Sequence, residues 1–256
     1  MPAIITLLTD FGTADGYVAE LKGVLLSSAL GIQLVDLSHD IVPHDVDAAR
    51  LALARYWRRF PPGTIHLVVV DPGVGSDRRA IAVMSDGRFL VGADNGVLSP
   101  ALLVPGARLV SLSVPANAAP TFHGRDVFVP AAAALARGAP LDSLGPPLDD
   151  PVVRRTPEAV REPEGWLRGV VIGIDRFGNA VTNLLGVHGG DLLLGDRTIP
   201  LRRTYADVAA GEPVVLVGSS GLLEIAVRDG NAARLLGLER GTVVRVRDDA
   251  RNSTNG

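Results

Sequence analysis

Apolar residues in the first half of the chain follow two alternating spacings. Short runs rich in apolar residues predict strands at 3–8, 32–37, 65–70, 80–84, 89–91 and 109–112, and the run at 65–70 is typical of a central parallel strand buried on both faces. Between them, apolar residues three or four apart predict helices beginning near Asp15, at 46–59 and at 131–137. Asp86-Gly87 separates two strand-like runs and is a hairpin signal. This alternation predicts an α/β domain with a mostly parallel sheet.

The second half has a different pattern. A proline-rich stretch without periodicity, 139–165, predicts a linker after a first domain at 1–138. Beyond it, short apolar runs separated by turn residues predict strands at 170–174, 180–184, 192–194, 214–217, 223–227 and 242–246. Helical spacing is almost absent there, which favours a β-barrel or sandwich at 166–248, followed by a polar tail at 249–256.

Composition narrows the classes of function. The 256 residues contain no cysteine, which excludes disulfide scaffolds, thiolate zinc sites and cysteine nucleophiles. The formal net charge of −3 gives no reason to expect a nucleic-acid or anionic-membrane partner. No apolar run approaches the roughly 18 residues that span a bilayer, and the N-terminus has no basic leader. We therefore expect a cytoplasmic protein.

Two aspartates mark a candidate site. Asp10 and Asp71 each directly follow a predicted buried strand. Because ligands of open α/β sheets bind outside the carboxyl ends of the strands, both carboxylates should face one crevice. The alternative is that each aspartate only caps the next turn or helix.

Asp71 also begins a glycine-rich run, Asp-Pro-Gly-Val-Gly-Ser-Asp-Arg-Arg. Glycines between Asp71 and Arg78 would let the two side chains meet as an ion pair. The run lacks the Gly-Lys-[Ser/Thr] ending of a phosphate-binding loop, which argues against nucleoside triphosphate hydrolysis. His123 lies in Phe-His-Gly-Arg-Asp before the last helix of the first domain, on the kind of loop where function concentrates.

Other polar clusters are less specific. His39 and His44 lie near Asp40 and Asp45, but their spacing matches no metal signature, and we predict no metal site. In the second domain, Asp175, Phe177 and Asn179 stand between two strands and could hold an amine or a purine; the alternative is a hairpin turn with Phe177 packed beneath it. Ser219 and Glu224 by themselves indicate an ordinary turn.

Together these segments resemble the S-adenosylmethionine (SAM) hydroxide adenosyltransferases, a branch of the group that includes fluorinating and chlorinating adenosyl enzymes. The resemblance rests on Thr-Asp-Phe-Gly with Asp15 and Tyr17, Asp-Pro-Gly-Val-Gly with Arg78, Ala93-Asp94-Asn95-Gly96, Phe-His-Gly-Arg-Asp, and Asp175 to Asn179 before Thr182-Asn183. It implies an N-terminal α/β domain, a C-terminal β-barrel, and a homotrimer whose active sites lie between neighbouring subunits.

The resemblance also assigns roles. It implies a catalytic trio of Asp71, Arg78 and His123, with Asp10 accepting the ribose hydroxyls. It further places three groups around the substrate: Asn179 and Phe177 at the adenine, Asp175 at the methionine ammonium, and Ser219 and Glu224 in the segment around both.

The implied reaction is attack of water on C5′ of SAM, which releases adenosine and methionine and needs no metal or other cofactor. The halogenating relatives have tyrosine and serine where this chain has Asp71 and Gly124, and a carboxylate there would repel a halide but suits water. His123 is the favoured base, with Asp71 as a competitor, while Arg78 would lower the pKa of the water. The alternatives are halide-dependent adenosyl transfer, a non-catalytic SAM- or adenosine-binding protein, and a metal-dependent hydrolase built on His39 and His44.

Overall fold

The computed structural model describes residues 2–187 and 190–247, so the expected polar tail at 249–256 lies outside the described residues. The chain divides into two compact units between Arg155 and Thr156. Within the described residues, no helix is both long and apolar enough to span a membrane.

The first unit is built on a six-stranded sheet. Its elements are β1 (Ile4–Thr9), α1 (Tyr17–Ser28), β2 (Gln33–Ser38), α2 (Val46–Tyr56), β3 (Ile65–Val69), β4 (Ala80–Ser85), β5 (Arg88–Ala93), α3 (Ser99–Leu102), β6 (Arg108–Leu112) and α4 (Val129–Ala136). The strand order is β2-β1-β3-β5-β4-β6. The first four strands of that order are parallel to one another, and β4 is antiparallel to both of its neighbours. The prediction of a mostly parallel sheet is confirmed.

Strand β3 lies in the middle of the core. All five of its residues are buried, because side chains of one core cluster cover one face of the sheet and a second cluster covers the other. This explains why its sequence is apolar on both faces rather than alternating, with the buried His66 as its one polar residue. The ends of β1 and β3 are thereby fixed rigidly beside each other.

Local signals set most element ends, with two exceptions. Asp86 and Gly87 both have positive φ, as a tight hairpin turn requires, and they join β4 to β5 as predicted. Helix α1 begins at Tyr17, two residues later than the expected start near Asp15. Gly16, in the left-handed conformation, precedes the first helical residue, and no side chain caps the helix. Likewise, α2 ends at Tyr56 and the chain continues as a 3₁₀ turn, Trp57–Arg59.

The second unit is an antiparallel sheet that nearly closes. Its elements are β7 (Val160–Arg161), β8 (Trp166–Ile174), β9 (Ala180–Leu185), β10 (Leu192–Leu194), β11 (Arg197–Ile199), β12 (Pro213–Val217), β13 (Leu222–Val227), α5 (Ala232–Leu236) and β14 (Val243–Arg247). The order is β11-β10-β14-β8-β9-β13-β12, and a bridge between Leu201 and Val215 joins its two ends. The predicted barrel is confirmed, whereas β11 and α5 were not expected from the sequence.

Part of the proline-rich stretch is bound to the first unit. Asp150 accepts a 2.6 Å hydrogen bond from Arg79, and the backbone N–H of Val152 donates to the Asp94 carboxylate. The backbone N–H of Arg154 donates to the Ser99 hydroxyl. This stretch is therefore held by specific polar contacts as far as the boundary between the two units.

A buried histidine on β3 gives a prediction about stability. Burial lowers the pKa of His66 to about 4, helped by the charge of Arg88 and opposed by a backbone carbonyl of Trp57. Because the unfolded chain binds a proton near pH 6.5 and the folded chain does not, the free energy of unfolding should fall by about 3 kcal/mol between pH 6.5 and 4. Urea unfolding at a series of pH values would measure this slope. His66→Gln should flatten it and His44→Gln, at an exposed position, should not; an unchanged slope in His66→Gln would contradict the assignment.

Candidate active site

A cavity of about 420 Å³ opens at the carboxyl ends of β1 and β3. The two strands are parallel neighbours with Thr9 paired to Val69, so the residues after them, Asp10 and Asp71, emerge on the same side. Both line the cavity, together with Phe11, Tyr17, Pro43, His44, Val69, Val74, Thr121, Phe122, His123 and Gly124. The structure thus brings the two carboxylates into one crevice.

The glycine-rich run folds back so that Arg78 meets Asp71. Arg78 Nε donates to Asp71 Oδ1 at 2.7 Å, and Nη2 donates to Oδ2. The two side chains are only 10% and 6% exposed. A nearly buried two-pronged ion pair of this kind holds both partners in one orientation.

Two close backbone approaches bring His123 to this pair. Gly75 has φ +79°, and a Cβ there would lie 2.7 Å from the carbonyl oxygen of Pro120. A Cβ on Gly124 would lie 2.8 Å from Cγ1 of Val69. Glycine at position 75 therefore lets the loop before His123 sit this close to the loop that carries Arg78, and glycine at position 124 lets the residue after His123 pack against β3.

The contact between Arg78 and His123 fixes the state of the imidazole. Arg78 Nη2 lies 3.1 Å from His123 Nδ1, and a guanidinium can only donate. Nδ1 therefore accepts, and the proton of the neutral ring is on Nε2. Burial lowers the pKa of His123, and the charge of Arg78 lowers it further, while Asp71 and Asp126 oppose the shift. His123 is held neutral, with a donor at Nε2.

One donor of Arg78 is left over. Its Nη1 is buried and has no hydrogen-bond partner among the residues that the structure describes. A buried guanidinium donor is costly unless something accepts from it. The cavity itself is lined by His123 and Asp71, so the neutral imidazole offers an N–H donor beside a carboxylate to a small polar ligand.

Asp10 is positioned differently. Its Oδ2 accepts a 2.8 Å hydrogen bond from the backbone N–H of His44, a residue with φ +70°. This bond ties the loop before α2 to the rim of the cavity. Asp10 therefore does not cap the segment that directly follows it.

Three aromatic rings form one wall of the cavity. The centroids of Phe11, Tyr17 and Phe122 are 5.5 to 5.8 Å apart, in tilted and edge-to-face contacts. Tyr17, the first residue of α1, is 48% exposed and lines the cavity. Sequence reasoning gave these rings no role; the cue is a cluster of aromatics beside the polar loops in a chain with only 4% aromatic residues.

The histidines considered for a metal site are used otherwise. His39 Nδ1 bonds to the Thr9 hydroxyl at 2.9 Å, and its Nε2 lies 3.1 Å from Asp36. Across the described ranges, no three histidine, aspartate or glutamate side chains come together in a way that could hold a metal ion. The metal-dependent alternative has no geometric support there.

The second unit brings together a different set. Asp175 Oδ1 accepts from the backbone N–H groups of Phe177 and Asn179, both at 2.9 Å, and Oδ2 accepts from Asn179 Nδ2 at 3.0 Å. Phe177 is 77% exposed, so the alternative in which its ring packs beneath a hairpin is wrong. Phe177 and Asn179 line a cavity of about 580 Å³ together with Tyr205, Val227, Asp229, Gly230, Asn231 and Arg234.

Tyr205 connects the remaining candidates of this unit. Burial raises the pKa of its hydroxyl, and the negative charges of Glu224 and Asp175 raise it further, which places the two carboxylates near that ring. Ser219 lies in the exposed turn between β12 and β13. Sequence reasoning missed Tyr205 because it lies in a three-residue 3₁₀ turn with no periodic signal.

Comparison with known proteins gives matches along the length of the chain. Residues 5–145 match the family model described as SAM hydroxide adenosyltransferase N-terminal domain, and residues 169–245 match that of the C-terminal domain. A relative from Thermus thermophilus named (R)-S-adenosyl-L-methionine hydrolase is 43% identical, with 94% of this chain and 98% of that protein covered. A protein from Actinopolyspora mzabensis named fluorinase is 33% identical, with 95% and 96% covered. The solved structure of an uncharacterized conserved protein from Thermotoga maritima superposes with a TM-score of 0.86 at 32% identity, with 94% of this chain and 99% of that one covered.

Proposed function

The chain belongs to the SAM hydroxide adenosyltransferase family, and on that premise we propose that it hydrolyses S-adenosyl-L-methionine to adenosine and L-methionine. The observation that carries the proposal is the buried Asp71–Arg78–His123 network, whose Asp71 and His123 line one cavity together with Asp10. The relatives named hydrolases act on the (R) form, so we expect the (R) sulfonium epimer to be the better substrate.

In the proposed reaction, a water oxygen bonds to C5′ while the C5′–S bond breaks and its electron pair goes to sulfur. The sulfonium is already a good leaving group, so no acid is required on that side. The task of the protein is to hold the water in line with the bond, and positioning of this kind can supply roughly 7–11 kcal/mol of a barrier. His123, which lines the cavity, would donate from Nε2 to one lone pair of the water oxygen, and the other lone pair attacks C5′. Arg78 would hold His123 and Asp71 in place for this step.

The proton of the water then needs an acceptor. His123 Nδ1 already accepts from Arg78 and its Nε2 already carries hydrogen, so the ring as placed has no free lone pair. Each Asp71 oxygen keeps a lone pair after binding Arg78. We therefore assign Asp71 as the proton acceptor and His123 as the group that orients the water.

The rest of the substrate would be held as the family resemblance implies. Asp10 accepts the ribose hydroxyls, Asn179 and the exposed ring of Phe177 hold adenine, and Asp175 pairs with the methionine ammonium. Ser219 and Glu224 complete that segment. The protein would act as a homotrimer in which each site takes these groups from neighbouring subunits.

The test of the reaction is product analysis in oxygen-18 water. We expect adenosine labelled at the 5′-oxygen and unlabelled methionine, with no added metal and with chelator present. The reaction is run with each of the two sulfonium epimers of SAM, with and without added fluoride or chloride. Unlabelled adenosine, loss of activity with chelator, or halogenated products would contradict the proposal.

The pH dependence tests the state of His123. Because burial and Arg78 lower its pKa, the imidazole stays neutral through neutral pH, and kcat/KM should fall on the acid side only below about pH 6.5, the ordinary histidine value. Steady-state rates between pH 4.5 and 8 would locate the midpoint. His123→Gln should lose this acid limb. A midpoint at or above 6.5 in the unmodified enzyme would show that the ring is not held neutral.

A further inference from the structure

Asp94 and Asn95 form hydrogen bonds to the two residues that flank the Asp71–Arg78 segment, Val70 before it and Arg79 after it. Asn95 Nδ2 donates a 2.9 Å hydrogen bond to the carbonyl oxygen of Val70, the residue before Asp71. Asp94 Oδ2 accepts from Arg79 Nε at 2.9 Å, and the backbone N–H of Asp94 donates to the Arg79 carbonyl at 2.9 Å. Arg79 is the residue after Arg78.

We propose that Asp94 and Asn95 are positioning residues for the reaction: they fix the backbone on either side of the Asp71–Arg78 pair and so set the geometry of the water site. The inference rests on the proposed function. Neither residue lines the cavity, so they act through Asp71 and Arg78 and not on substrate.

The loop is itself well anchored, as such a role requires. Asp94 is 4% exposed, and its second oxygen accepts from the backbone N–H of Val152 at 2.8 Å. Asn95 Oδ1 accepts from the backbone N–H of Val97, and the Asn95 carbonyl accepts from Arg154 Nε at 2.9 Å. Asp94 and Asn95 thus each form further hydrogen bonds to residues outside the Asp71–Arg78–His123 network.

The bonds also explain why these two residue types are needed. A carbonyl can be held only by a donor, so Asn95 must be an amide there and not a carboxylate. Asp94 must accept two hydrogen bonds in different directions, one from a cation, which a carboxylate does best. Since errors of about 1 Å can cost about 10²-fold in rate, loosening either bond should affect turnover.

The test compares Asn95→Asp with Asn183→Asp. Asn183 also bridges backbone groups, donating to the Pro157 carbonyl at 2.8 Å and accepting from the Val170 N–H at 2.7 Å, but it lies in the second unit. We expect Asn95→Asp to lower kcat about 10- to 100-fold with KM within about twofold, and Asn183→Asp to leave kcat nearly unchanged at a similar loss of stability.

A readout without turnover separates this inference from the proposed function. The Nε–H proton of Arg78, assigned by its loss in Arg78→Lys, should give a hydrogen-bonded NMR signal in the unmodified protein and in Asn183→Asp. It should shift or broaden in Asn95→Asp. Where Asn95→Asp fails to fold, Asp94→Asn is measured in its place with the same expectations. An unchanged Arg78 signal, or a kcat equal to that of Asn183→Asp, would overturn the positioning role, whereas absence of turnover in the unmodified protein would count against the proposed function alone.

Discussion

Replacing Arg78 with alanine is expected to lower kcat about 10²- to 10³-fold while the dissociation constant for SAM changes less than about threefold. The guanidinium binds Asp71 through two nitrogens and His123 through one, and its remaining Nη1 faces no described partner. Its removal therefore frees Asp71 and His123, the two groups that would position the attacking water. These interactions strengthen only as the water gains nucleophilic character, so the loss falls on turnover and not on binding.

Two further variants make this result specific. Asp10→Ala should show the opposite split, with binding weakened about tenfold or more and kcat little changed, because the ribose contact is present before and during reaction. Arg108→Ala removes another arginine–aspartate pair of the same unit, an exposed one with Asp142, and should leave both constants unchanged. Calorimetry beside steady-state kinetics measures the two constants. A kcat for Arg78→Ala close to that of Arg108→Ala would remove Arg78 from the mechanism.

Mixing two inactive variants is expected to restore about a quarter of wild-type activity. His123 lies in the first unit and Asn179 in the second. If each site of a trimer takes these residues from neighbouring subunits, equal mixing of His123→Ala and Asn179→Ala chains leaves each half intact with a probability of about one half, and both halves in about one quarter of sites. Activity is measured after dissociation and reassembly, with exchange verified by mass spectrometry.

The matched control mixes Arg78→Ala with His123→Ala chains. Both changes fall in the first unit, so every site keeps a defect and no activity should return. No recovery with the first pair despite verified exchange would exclude a site shared between subunits, and equal recovery in the control would show that the regained activity does not come from sharing of the two units.

The sequence was informative where a local pattern decides the structure. A run that is mostly apolar on both faces is typical of a parallel strand in the middle of a sheet, and parallel neighbours end at the same edge, so the meeting of Asp10 and Asp71 could be predicted without coordinates. The pairing of Asp71 with Arg78 likewise follows from the glycines between them, which let a seven-residue span close.

The sequence was silent where the partner is a backbone group or lies far along the chain. The Asn95 amide binds a carbonyl 25 residues away, and a carbonyl has no side-chain signature that a pattern could reveal. The neutral state of His123 depends on an arginine 45 residues away. The second unit has strands as short as two or three residues, such as β11, too short for alternation to stand out from chance.

The hairpin of β4 and β5 has a consequence for how the site is assembled during folding. Arg79, the residue after Arg78, directly precedes the hairpin, and Asp94 directly follows it. The two residues that bind each other are therefore only 15 positions apart in the chain. Forming the tight turn at Asp86-Gly87 covers most of the entropy cost of closing the loop between Arg79 and Asp94. Hairpins of this kind form within about 1–10 μs. The parallel pairing of β5 with β3 joins segments farther apart along the chain, so we expect it to form after the hairpin.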